Sequence, residues 1–200
     1  MANTNAPFGA LPLGTMGASA TYELVPMKIA YGDTTKIYTG DLVKKLSTGY
    51  IAQWTATTAV SQLAGIFMGC EYLSTAMGKV VRNNYWPGAD TTADAKGFII
   101  PLNLAAPMLL KIQTDATGVA FADIGANFDI AVGTGSTATG RSGSYLDVST
   151  IATTATLPFR LVDLWGTGGR GNMGPGTQAG AYNWAIVAAN TSGAGSTGIT

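Results

Sequence analysis

The chain has 200 residues, with 11 Lys and Arg balanced by 11 Asp and Glu, no His and a single Cys. Charged residues make up only 11%, well under the typical share of about 25%, and no basic cluster exceeds the pair Lys44-Lys45, so a nucleic-acid partner is not expected. The lack of His removes Ser-His-Asp and Cys-His catalysis and any Cys/His zinc site, and one Cys excludes an intrachain disulfide.

Residues 1–21 are rich in Gly, Pro, Ala and Asn. Pro7, Pro12, Gly9, Gly14 and Gly17 oppose a stable helix there. The segment reads as an extended N-terminal arm carrying four apolar studs: Phe8, Leu11, Leu13 and Met16. No Lys or Arg precedes Lys28 and no continuous apolar run occurs, so neither a signal peptide nor a membrane span is expected.

From Tyr22 onward short apolar runs alternate with turn residues. Strands are predicted over Tyr22–Met27, Lys36–Thr39, Asp41–Leu46, Tyr50–Gln53, Leu63–Tyr72 and Lys79–Arg82. A second set covers Gly97–Pro101, Met108–Thr114, Gly118–Ala122, Asn127–Val132, Gly143–Val148, Pro158–Leu164 and Asn183–Ala189. They are rich in Ile, Val, Leu, Tyr, Phe and Thr, and many recur at roughly 8–12 residues, the spacing of a sandwich or barrel. The only helical candidate is Thr57–Leu63, a turn or two. The fold class expected is therefore all-β, a β-sandwich or β-barrel of many short strands, with an extended N-terminal arm and little helix.

Punctuation divides the chain further. Residues 86–96, with Pro87, Gly88 and two Asp, read as a linker loop between one β subdomain at 22–85 and another at 97–189. Residues 166–180 form a Gly-rich loop, and residues 190–200 a flexible Gly/Ser/Thr tail. Gly166-Thr167-Gly168-Gly169-Arg170-Gly171 matches a phosphate-binding glycine pattern in letters. However, Asn172-Met173-Gly174-Pro175 is a poor helix start, and the chemistry needs a helix N-terminus.

Chemistry-bearing residues are sparse. Glu23 and Glu71 are the only glutamates, and nine aspartates occur singly. Asp123 and Asp129 flank a turn but lack the dense oxygen spacing of a calcium loop. Two aspartates brought together in space remain open as a glycan-hydrolase pair. Cys70 lies in an apolar run and reads as buried filler. No cofactor or metal is expected. Trp86 and Trp165 stand at strand-to-loop junctions, where they either face a partner or pack in the core.

Two regions carry a resemblance. Met1–Pro12, MANTNAPFGALP, resembles the MAN-x-xAPFG-x-x-P opening of certain small phage virion proteins. Residues 111–165 resemble a block of the same proteins that runs from a "QxD" strand through "ADIG-x-N" and "TG-x-SG-x-x-LD" to a final "LR-(L/I)-V" strand. Here Gln113 is followed by Thr114-Asp115 at the first strand, and Phe159 stands before Arg160-Leu161-Val162 where the pattern has Leu. Gly40-Asp41-Leu42-Val43 and Gly65–Gly69 fit the early strands of that family.

The family resembled is that of phage head-decoration, or cement, proteins. The resemblance implies a non-enzymatic virion protein, made in the bacterial cytoplasm, that binds the outside of an icosahedral head. Its partners would be the major capsid protein and copies of itself, a trimer ahead of a dimer. The expected contact residues are Phe8, Leu11, Leu13, Met16, Trp86 and Trp165. A tail or fibre module is the alternative.

Overall fold

The computed structural model describes residues 3–15, 23–56, 60–102, 108–166 and 179–190. Two antiparallel sheets carry the fold. The first has the order β2 (Val25–Ile29), β9 (Ala95–Pro101), β6 (Leu63–Ser74), β4 (Leu42–Lys45), β5 (Ile51–Gln53). Strand β7 (Lys79–Asn83) pairs with the far half of β6. The second has the order β1 (Leu11–Thr15), β10 (Met108–Gln113), β14 (Trp184–Ala189), β13 (Phe159–Leu164), β11 (Asn127–Ala131), β12 (Tyr145–Ala152). A two-stranded ribbon joins β3 (Ile37–Tyr38) to β8 (Tyr85–Trp86). Neither sheet closes on itself. The fold is an all-β sandwich.

The main core lies between the sheets. Leu42, Trp54, Ile66 and Ile100 from one side meet Leu110, Ile112, Phe128, Ile130, Leu146, Phe159 and Leu161 from the other. Strand period explains the choice: in β10, Leu110 and Ile112 face this core while Leu109 points away. The first sheet is buried on its second face as well. Ile29, Ile37, Val43, Phe67, Trp86 and Ile99 form that second core beneath the β3–β8 ribbon. Strand β6 therefore shows no alternation in sequence, because Ile66 serves one core while Ala64, Phe67 and Cys70 serve the other. Truncating Phe128 or Phe159, both fully buried, to Ala costs about 3–5 kcal/mol at such sites.

Residues 3–15 are extended as expected and lie along the protein's own body, while two other expectations are corrected. β1 pairs with β10 at the edge of the second sheet, and Gln113 holds the preceding segment: its Oε1 accepts from Ala6 N (2.9 Å) and its Nε2 donates to Thr4 O (2.8 Å). The change of sheet falls between Pro101 and Met108, not in 86–96, because β9 pairs with β2 and β6. Gly118–Ala122 is not a strand. Asp115 Oδ1 accepts from Thr117 N and Asp123 Oδ2 from Ala120 N, so the chain curls into a 3-10 turn at Phe121–Asp123. Of the helical candidate Thr57–Leu63, residues 57–59 lie outside the described residues, Val60–Gln62 form a 3-10 turn, and Leu63 opens β6.

A polar junction ties the sheets to the N-terminal segment. The Asp41 carboxylate, 1% exposed, accepts from Tyr38 N (2.8 Å), Gln53 Nε2 (2.9 Å), Ser142 Oγ (2.5 Å) and Ser144 Oγ (2.9 Å). Gly9 crosses this junction at φ +80°, where a Cβ would stand 2.3 Å from Gly40 O. Only glycine fits that approach. The three stretches that carry the resemblance (around Gly9, Gly40 and Ser142) thus meet at one point in space.

Candidate functional site

Among the described residues, the β6–β7 hairpin gathers three exposed apolar side chains on one element. Leu73 and Val80 are opposite one another in the register. They are 46% and 63% exposed, and Met77 in the connecting turn is 66% exposed. Two residues further from the tip, on the same face, Glu71 lies opposite Arg82. Their side chains pair at 3.7 Å, and Lys96 reaches the same carboxylate at 3.6 Å. An apolar centre with a charged margin is the usual anatomy of a protein contact patch.

The tip is held rigidly. Asp90, at φ +70°, accepts from Ser74 Oγ (2.6 Å), Thr75 Oγ1 (2.9 Å) and Ala76 N (2.8 Å). These bonds, the Ser74 hydroxyl first, hold its carboxyl below the usual carboxylate range. A preformed tip loses less conformational entropy on binding than a loose one.

Of the residues expected from sequence to make contacts, Phe8, Leu13 and Trp165 come together on the outer face of the second sheet. Phe8 packs on Trp184 with ring centroids 4.8 Å apart. The Lys111 ammonium lies 4.2 Å from the Trp165 ring centre and 4.6 Å from that of Trp184. Burial lowers the Lys111 pKa. Leu13 and Trp165 flank buried Leu109, Ile186 and Ala188. This cluster fastens the chain to itself, and Phe8 and Leu13 are half-buried in it. Leu11 remains 41% exposed on edge strand β1. Met16 and most of the loop at 166–180 lie outside the described residues. Trp86 is fully buried: its Nε1 donates to Asp33 O (2.9 Å) and its ring meets Tyr72 edge-on. It is unavailable to a partner.

The hairpin was not evident from sequence as a contact element. Its one signal is Val80-Val81: on a strand of period 2, adjacent valines point to opposite faces, so one is left outside unless a second layer covers it. Val81 packs into the second core and Val80 is left outside.

The aspartates have local duties. Asp123 caps its turn, and Asp147 accepts from Ser149 N and Ser149 Oγ. Asp129 and Asp147 do stand opposite one another across β11 and β12. Burial, with Asp147 adding to it, raises the Asp129 pKa. Asp129 Oδ1 accepts from Ile130 N (2.7 Å). The Trp54 indole N–H lies near the same carboxylate without a well-aligned hydrogen bond. Neither aspartate lines the depression beside Arg141 or the one beside Arg82. Among the described residues, no three His, Cys, Asp or Glu side chains gather as a metal site. Burial pushes the Cys70 thiol up to about 12, and its Sγ donates to Tyr85 O.

No protein-family model matches the chain, and no similar curated protein or solved structure is found.

Proposed function

We propose that the chain is a non-enzymatic structural protein that coats the outside of a tailed-phage head and stabilises the mature shell. The observation that carries this reading is the rigid β6–β7 hairpin, with Leu73, Met77 and Val80 presented to solvent inside a charged margin. The resemblance of Met1–Pro12 and residues 111–165 to phage decoration proteins supplies the setting. A cement protein needs no reaction. It binds a lattice site that exists only in the mature shell and so stabilises that state by mass action.

A contact of standard size buries about 1,600 Å² in total, but a few apolar anchors supply most of its energy. The three hairpin residues are the anchors in this account. They stand in for Phe8 and Leu13, which pack against the chain's own body. Many copies on one shell, whether as trimers or single chains, then gain from avidity.

The test is cosedimentation of the purified protein with heads stripped of it. Leu73→Ser, Met77→Ser and Val80→Ser combined should abolish attachment while lowering the unfolding midpoint only slightly, because Met77 and Val80 are mostly solvated and Leu73 about half so. Attachment by the triple variant at the wild-type level would overturn the assignment of the hairpin.

A further inference from the structure

Below the hairpin, two depressions of about 340 Å³ and about 290 Å³ lie side by side. They share Met68 and Asn84 as lining residues, so they adjoin along one stretch of surface. One end is walled by Phe8, Leu11 and Pro12 of the N-terminal segment, the other by Leu24 and Phe98. The first depression is walled mainly by apolar side chains, the second by apolar and polar ones together, and each holds one arginine.

Arg141 stands at the first end, its guanidinium 6.0 Å from the centre of the Phe8 ring. Among the described residues it has no ion-pair partner. Arg82 stands at the second end, 4.8 Å from the Phe98 ring centre. It shares the single carboxylate of Glu71 with Lys96, so that end is also net positive. No acidic side chain lines either depression among the described residues. In the middle, Asn84 is exposed and its carboxamide makes no hydrogen bond among the described residues. Such a group can both donate to and accept from the backbone of an extended peptide.

We propose that this stretch of surface receives an extended segment of the partner protein, with an aspartate or glutamate on Arg141 and a large apolar side chain on Met68 and Leu11. The charge balance selects the occupant. An unpaired guanidinium forms strong, often bidentate bonds with a carboxylate, and a basic segment would meet a like charge at both ends. The apolar walls seat the neighbouring side chain, and Asn84 fixes the register of the backbone between them. The inference deepens the decoration reading and rests on it for the partner's identity, the shell protein.

The experiment uses the full-length protein and a displayed library of random peptides of about twelve residues, selected on wild type. Enriched sequences are expected to place Asp or Glu within a few residues of a large aliphatic or aromatic residue. Their affinity should fall roughly tenfold on Arg141→Gln and be undetectable on Arg141→Glu, with both variants melting like wild type because the side chain is exposed. No enrichment, enrichment of basic peptides, or equal binding by Arg141→Glu would each overturn the proposal. Attachment of the same variants to stripped heads separates the two claims. Peptide binding as expected without any attachment of wild type leaves the peptide site standing and sinks the decoration reading. Attachment that is indifferent to Arg141→Glu does the reverse.

Discussion

Asp41 and Ser142, 101 positions apart in sequence, are joined by a 2.5 Å hydrogen bond inside the protein. Asp41 opens β4 in the first sheet, and Ser142 leads into β12 at the edge of the second. The bond, with its neighbour from Ser144, closes one end of the sandwich. Replacing Asp41 by Ala leaves Tyr38 N, the Gln53 amide and two serine hydroxyls without their acceptor. Several orphaned buried donors at about 1–3 kcal/mol each, partly relieved by water, predict a loss of about 3–5 kcal/mol. Denaturant unfolding checks this, and a loss under about 1 kcal/mol would show that the junction is dispensable. Asp41→Asn should cost less but still measurably, because its amide nitrogen cannot accept.

The N-terminal segment gives a second prediction. Deleting residues 3–15 removes edge strand β1 and uncovers Trp184 and Leu109. The truncated protein is expected to melt at clearly lower temperature and to aggregate on its exposed β10 edge. Gly9→Ala should reproduce part of the loss, since its φ of +80° and the nearby Gly40 O leave no room for a Cβ. A truncated protein as stable and monomeric as wild type would mean that the segment is merely laid on the surface.

Strand positions were largely legible in the sequence because short apolar runs end at turn residues. β10 is expected over Met108–Thr114 and occurs at Met108–Gln113. Pairing was not legible. Leu11 meets Lys111 and Gln113 holds Thr4 and Ala6, and nothing in a Gly- and Pro-rich leader announces a partner about a hundred residues away. Trp86 was ambiguous for a related reason: its place at the end of a run suggests exposure, but as part of the β3–β8 ribbon it packs into the second core. The hairpin and Arg141 escaped notice because exposure and ion pairing are properties of the folded chain.

Asp129 gives a pH dependence. Burial raises its pKa, so the folded protein holds a proton at pH values where the unfolded chain has released it. Stability therefore falls as pH rises from the ordinary carboxylate value through the raised one. Asp129→Asn is predicted to stabilise the protein at neutral pH and to lose that advantage in acid. Melting curves across pH measure it, and an advantage that grows in acid would reverse the assigned sign.

Cys70 should be inert in the native state. A thiol with a pKa of about 12 is ionised to only about one part in ten thousand at pH 8, and the side chain is 1% exposed. A thiol-specific disulfide reagent should leave the folded protein unlabelled for hours and label the denatured chain within minutes. Rapid labelling of the native protein would require that β6 open locally at low cost.

The most direct test of the structural role is the copy number of the chain in purified phage particles, measured by quantitative mass spectrometry against the major capsid protein. A decoration protein is expected in hundreds of copies per head, at a simple ratio to the shell subunit. A dozen copies or fewer would point to the tail or a fibre, and absence from the particle would contradict the account.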